Sequence, residues 1–301
     1  MKIGVKFGPD NAKQVLSQTS PDCAEVWFRL DMWPGYRTAF EELRAKNIPF
    51  GLHYWHVLEN GIEPNLAYER DRIAEKTEAS MRETIDIAQE VGATYVNIHP
   101  GAYSLRELNL DKQYTRTFHD KTISVEEGNL SVEERSKRLN KYAISKNILF
   151  LLETLPRNEV ARWLGSGREN VKSGNSVTLD VLEKLGIDGL FLNNDFGHTV
   201  AQCLSETPTE IYQYLLDWTK KLAPFTKLLH INTVRPPFNG TDSHNGVLEE
   251  DFTLNVVPNR AQLIELLRLF KDREDVWIIP EPETEKMVDN FRAINDLVKT
   301  F

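Results

Sequence analysis

Five of the seven histidines in this chain stand in short polar motifs, most of them where an apolar stretch ends. The motifs are Gly51-Leu52-His53, Asn97-Ile98-His99-Pro100-Gly101, Asp195-Phe196-Gly197-His198, Leu229-His230-Ile231-Asn232 and Asp242-Ser243-His244. Leu152-Glu153-Thr154 and Pro280-Glu281-Pro282 place two glutamates in the same way. Neutral imidazole and carboxylate are the donors that zinc, manganese and cobalt dications accept. If the strand ends converge, these side chains form a multinuclear metal site. One polar residue closing one strand is ordinary. A set of ligand type on consecutive strands calls for a shared purpose.

The elements that must position them are legible. Apolar, β-rich segments lie near 2–7, 25–30, 49–55, 94–99, 147–153, 189–194, 228–234 and 276–281. They are nearly continuous runs, which is the pattern of parallel strands covered on both faces. Helical periodicity fits 36–47, 66–91, 131–146, 177–186, 207–222, 259–271 and 284–300. Gly92 is expected to stop the second of these, and Ser131-Val132-Glu133-Glu134 to start the third as a capping box. This alternation predicts an α/β fold, a single (β/α)₈ TIM barrel domain over 1–301 with long βα loops at its C-terminal face. His53, His99, Glu153, Asp195, His230 and Glu281 then close strands three to eight, and a barrel draws those ends into one ring. Asp195-x-x-His198 adds a ligand one turn on, and Asp242-x-His244 offers two more from a Gly-flanked loop.

Composition narrows the setting. The 301 residues are 41% hydrophobic and 27% charged, and no apolar run approaches the roughly 20 residues of a membrane helix. Met1–Gly8 reads as a strand rather than a signal peptide, and Cys23 and Cys203 lie outside any CxxC spacing, so a reducing cytoplasm is expected. The net charge of −9 argues against generic nucleic-acid affinity, although three dications would bring it to about −3. The connections 102–130, 155–176 and 235–257 are longer than a barrel needs, and each follows a strand. Arg157, Arg162 and Arg168 give 155–176 guanidinium forks suited to phosphate oxygens.

The order H, NxHPG, ET, DxxH, HxN, DxH, E resembles the endonuclease IV (AP endonuclease 2) family within the xylose isomerase-like barrels. The resemblance runs from the third strand to the eighth. It implies nine metal ligands: His53, His99, Glu153, Asp195, His198, His230, Asp242, His244 and Glu281. By that likeness His53 and His99 hold a first metal and Glu153 bridges to a second. Asp195, His230 and Glu281 complete the second, while His198, Asp242 and His244 hold a third. The implied cofactor is two or three Zn²⁺, with Mn²⁺ or Co²⁺ as alternatives. The implied activity is phosphodiester hydrolysis by a metal-activated hydroxide on an anionic substrate such as abasic DNA. His56 stands where that family places a DNA-distorting tyrosine, and Thr154-Leu155-Pro156 replaces its Gly-rich stretch.

A second expectation comes from the same barrel group. A sugar isomerase or epimerase would use Glu153, Asp195, His230 and Glu281 around a single Mn²⁺ or Co²⁺, with Glu153 and Glu281 as acid and base. Its partner would be a small sugar or sugar phosphate, and Trp27, Trp33 and Trp55 near the mouth would suit stacking. That reading accommodates the acidic charge. It leaves His53, His99, Asp242 and His244 without a common task, so the hydrolase ranks first on sequence.

Overall fold

The computed structural model describes residues 1–111, 114–157, 176–241 and 243–300. Eight parallel strands close into a barrel: β1 (Lys2–Phe7), β2 (Cys23–Arg29), β3 (Phe50–Trp55), β4 (Tyr95–Ile98), β7 (Leu149–Glu153), β8 (Phe191–Asp195), β9 (Thr226–Ile231) and β10 (Trp277–Pro280). All eight apolar runs are strands, each within a few residues of its expected limits. Two further strands, β5 (Ser104–Asn109) and β6 (Tyr114–Thr122), form an antiparallel hairpin inside the long connection after β4.

Alternation along each strand separates two cores. Outward residues such as Val5, Val26, Leu52, Val96, Phe150, Leu192, Leu229 and Ile278 join the large cluster under the helices. Inward residues Cys23, Tyr95, Leu151, Leu228, Trp277 and Ile279 form a small separate cluster that plugs the barrel. Tyr95 crosses the interior because Gly51 opposite has no side chain: a Cβ there would lie 2.1 Å from the ring. Two residues further along each strand the inward positions turn polar, and the site begins.

The helices are α1 (Ala12–Gln18), α2 (Arg37–Ala45), α3 (Ile73–Val91), α4 (Val125–Ser145), α5 (Leu179–Ile187), α6 (Phe196–Gln202), α7 (Pro208–Leu222), α8 (Arg260–Arg268) and α9 (Met287–Val298). Gly92 ends α3 in the left-handed conformation, as its position suggests. The start of α4 differs from expectation. Ser-Val-Glu-Glu occurs at 124–127 and again at 131–134, and the helix uses the first copy, with Ser124 Oγ accepting from Glu127 N at 3.1 Å. Ser131 is therefore interior, and its hydroxyl donates to the Leu66 carbonyl at 2.6 Å. Cys23 and Cys203 are both buried and unpaired. Among the described residues no helix is long and apolar enough to cross a membrane.

Candidate metal centre

The strand register sets the ring. Lys6 pairs with Glu25, Trp27 with His53, His53 with Asn97, Glu153 with Asn193, and Asp195 with His230. Among the described residues, three groups bring possible ligand atoms within 4.8 Å of one another: Glu25, His53 and His230; His53, His99 and Glu153; and Glu153, Asp195, His230 and Glu281. Six of the nine sequence candidates thus converge at the C-terminal mouth, and Glu153 belongs to two groups.

His230 is the pivot. Its Nε2 is 2.7 Å from Glu25 Oε2, so that nitrogen carries a proton toward a buried carboxylate. The other nitrogen, Nδ1, faces Glu281 Oε2 at 2.9 Å, Glu153 Oε1 at 3.2 Å and Asp195 Oδ2 at 3.7 Å. Burial alone would lower the proton affinity of His230, but Glu25, Glu281 and Glu153 hold it well above the ordinary imidazole range. The carboxylates therefore call for a cation at Nδ1, and a dication meets that demand in place of a proton. Burial would likewise raise Glu153 and Glu281. His230, with His53 and His99 near the first and Lys6 near the second, keeps both well below the usual carboxylate range.

The unassigned letters of the motifs are the supports. Asn97 of NxHPG donates to Glu153 Oε2 at 2.6 Å. Asn232 of HxN donates to both Asp195 oxygens at 3.1 Å. Thr154, directly after Glu153, binds twice: its hydroxyl accepts from Asp195 N at 3.0 Å, and its carbonyl accepts from His198 Nδ1 at 2.6 Å. Asp195 is also the N-cap of α6 and accepts from His198 N at 2.8 Å, so DxxH is a helix start as well as a pair of candidate ligands. Fixing carboxylates and ring tautomers this way is what outer-shell groups do around a metal.

The buried Nε2 atoms of His53 and His99 have no hydrogen-bond partner. They lie 3.3 Å and 3.5 Å from Glu153 oxygens. Orphaned ring nitrogens beside a shared carboxylate fit a metal or a bound substrate oxygen. His198 and His244 have ring centroids 6.1 Å apart, His244 being exposed, while Asp242 lies outside the described residues. His56 leaves the ring: it sits beside the charges of Asp31 and Glu83 and its proton affinity is lowered, chiefly by burial. Half-buried Arg157 lies near Tyr214 of α7, and Arg162 and Arg168 fall outside the described residues. Trp27 and Trp55 stand together at the mouth with centroids 5.8 Å apart, and Trp55 meets His99 at 5.3 Å. Trp33 does not join them. It packs on Phe28 and Phe40 under α2, so of the three only Trp27 and Trp55 stand where the stacking expectation placed them.

Two residues at the floor escaped the sequence reading. Glu25 is fully buried and Lys6 nearly so. The Lys6 ammonium is 3.2 Å from Glu25 Oε2, donates to Glu281 Oε1, and lies 2.5 Å from His53 Nδ1. Burial and this ammonium push His53 down to about 4, against the pull of Glu153 and Glu25. The signal was present: each is a charged residue in an apolar run expected to be covered on both faces.

A family profile matches residues 18–298. The chain belongs to the xylose isomerase-like TIM barrel family. Solved structures similar to this barrel include a D-tagatose 3-epimerase-like protein, with 15% identity, TM-score 0.68 and coverage of 100% of this chain and 98% of the other. A 3-keto-D-glucoside 4-epimerase from E. coli gives 14% identity and TM-score 0.62, with 100% of both chains covered. Endonuclease IV from Thermus thermophilus gives 16% identity and TM-score 0.58, again over 100% of both chains. At these identities the likeness is one of fold. A search of curated protein sequences finds no match. The family comprises metal-dependent enzymes, and sugar epimerases outnumber endonuclease IV among the similar structures described.

Proposed function

We propose that this barrel is a divalent-metal-dependent isomerase or epimerase acting on a small carbonyl sugar. The observation that carries the proposal is His230, with Nε2 tied to Glu25 and Nδ1 turned into Glu153, Asp195 and Glu281. That four-residue set has its tautomer and its carboxylates already fixed. A dication held there supplies Lewis acidity toward carbonyl and hydroxyl oxygens of the substrate. Mn²⁺ and Co²⁺ suit a carboxylate-rich set with one imidazole.

Charge favours an uncharged substrate. Four carboxylates (Glu25, Glu153, Asp195 and Glu281) against Lys6 leave −3, and one dication leaves −1, within a chain of net −9. The ring is also two-sided. The ligand set comes from β7 to β10, whereas Trp27, Trp55 and His99 from β2 to β4 form an aromatic wall facing it. Aromatic surface opposite fixed polar groups is how pockets orient a sugar-sized ligand. Glu153 and Glu281 are held ionised at neutral pH, as a proton acceptor must be. One of them removes the proton beside the carbonyl and, protonated by that step, returns it to the neighbouring carbon in an isomerisation; for inversion at the same carbon the other first takes a proton from water and delivers it to the opposite face.

A second reading, phosphodiester hydrolysis, is favoured by a specific observation. Glu153 is shared with the orphaned Nε2 atoms of His53 and His99, and two dications would make the ring positive enough for a phosphate. Incubation with Mn²⁺ and a panel of ketoses and ketose phosphates in D₂O separates the two. Deuterium entering the carbon beside the carbonyl, with no nicking of an abasic duplex, supports the isomerase. Nicking without exchange overturns it in favour of the hydrolase.

A further inference from the structure

Lys6 has a saturated set of partners. An ammonium carries three N–H donors and no acceptor, and three acceptors surround this one: Glu281 Oε1, Glu25 Oε2 at 3.2 Å and His53 Nδ1 at 2.5 Å. A hydrogen bond from an ammonium requires the lone pair of His53 to be at Nδ1. A neutral imidazole with its lone pair at Nδ1 carries its proton at Nε2, and Nε2 has no lone pair to give a metal. That nitrogen is buried, lacks a protein partner and lies beside Glu153. The neighbouring residues complete the enclosure. Gly51 and Tyr95 fill the level below, and the Tyr95 hydroxyl donates to Glu25 Oε1 at 3.1 Å.

We infer that Lys6 is a positioning residue that holds His53 as an Nε2–H donor toward the substrate, so that His53 is not a metal ligand while Lys6 is present. The inference deepens the isomerase proposal and accounts for a histidine that a one-metal site does not need. It also removes one of the three ligands of the second group, His53, His99 and Glu153. The orphaned Nε2–H then awaits a hydroxyl or carbonyl oxygen of the bound sugar.

The test reads metal and tautomer, not turnover. Wild type, His53→Gln and Lys6→Met are equilibrated with Zn²⁺, passed through gel filtration and assayed for zinc per chain. His53→Gln should bind as many ions as wild type, and Lys6→Met should bind one more. Long-range ¹H–¹⁵N correlation on zinc-loaded wild type, with His53 assigned from the His53→Gln difference, should show a proton on Nε2 only. Loss of one ion in His53→Gln, or a proton on Nδ1 in the loaded wild type, overturns the inference. Should Lys6→Met not fold, the other two measurements decide. A wild type that takes up no zinc would refute the metal reading itself, and the tautomer would still decide the role of Lys6.

Discussion

Glu25→Gln tests the carboxylate behind the metal centre. From a fully buried side chain, Glu25 lies 2.7 Å from the far nitrogen of His230 and 3.6 Å from His53 Nδ1. Its loss should act through the ring. A hydrogen bond to a charged partner contributes about 1.5–3 kcal/mol, and loss of an outer-shell partner of a metal-bound histidine costs about 10–100-fold in affinity. At about 1.4 kcal/mol per decade the two estimates agree. An opposing effect must be separated. Glu25 also raises the proton affinity of His230, so the variant weakens the proton that competes with the metal. Calorimetric titration of Mn²⁺ over a pH series, read at the alkaline plateau where Kd no longer changes with pH, isolates the orienting effect. We expect Kd to rise about 10–100-fold with the stoichiometry unchanged. Lys6 loses one of its two carboxylates but keeps Glu281, so a thermal melt should show a folded protein weaker by about 1–3 kcal/mol. A Kd within about twofold of wild type, on folded protein, would refute the claim that Glu25 sets the His230 tautomer.

Three other outcomes follow from the geometry. Glu153→Gln removes a carboxylate shared by two ligand groups, so it should cost at least about 100-fold in Mn²⁺ affinity and abolish deuterium exchange; unchanged calorimetry would sink its assignment as a ligand. Gly51→Ala puts a Cβ 2.1 Å from the Tyr95 ring, which must shift inside the packed barrel. Overpacking of this kind costs about 1–3 kcal/mol, visible as a lowered Tm, and an unaltered Tm would mean that the plug yields freely. Acid stability should depend on Glu78. Burial would raise its pKa, but Arg138 and Arg82, with Arg135 also bonded, bring it from 4.5 to about 2. A lowered folded value gives stability that is present above pH 4.5 and lost as pH falls toward 2. Allowing for solvent screening, Glu78→Gln should remove about 1–2 kcal/mol near pH 6 and flatten the loss between pH 4.5 and 2 in urea titrations.

The strands were legible because a parallel strand covered on both faces is an unbroken apolar run, whatever its partners. Ligand placement followed, since strand ends in a barrel must share one face. Supports were visible only as letters. Asn97, Asn232 and Thr154 sit beside candidate ligands in their motifs, but nothing in spacing says that Asn97 reaches Glu153 on the neighbouring strand. The helix start at Ser124 was hidden by a second Ser-Val-Glu-Glu whose local chemistry is identical, so only the packing of Ser131 against Leu66 chooses between them. The hairpin of β5 and β6 was missed because polar and charged residues break up the apolar signal along both strands. Lys6 and Glu25 were missed for a different reason. Register pairs them, and register is a property of the closed barrel rather than of either strand.

That last point bears on how one ring of donors serves two chemistries. The order of histidines and carboxylates along the chain fits a multinuclear hydrolase and a one-metal isomerase alike, because both draw on the same strand ends. Donor identity cannot separate them, since an imidazole binds a metal only through the nitrogen that lacks a proton. The residue opposite each ring makes that choice. Glu25 accepts from His230 Nε2 and thereby frees Nδ1 for a metal, while Lys6 donates to His53 Nδ1 and thereby denies Nε2 to one. These two residues are neighbours on β1 and β2, paired in register, below the ligands and out of reach of bulk solvent. On the proposed reading, metal number is set from the barrel floor, by one buried carboxylate and one buried ammonium acting on two histidines whose rings lie 5.4 Å apart.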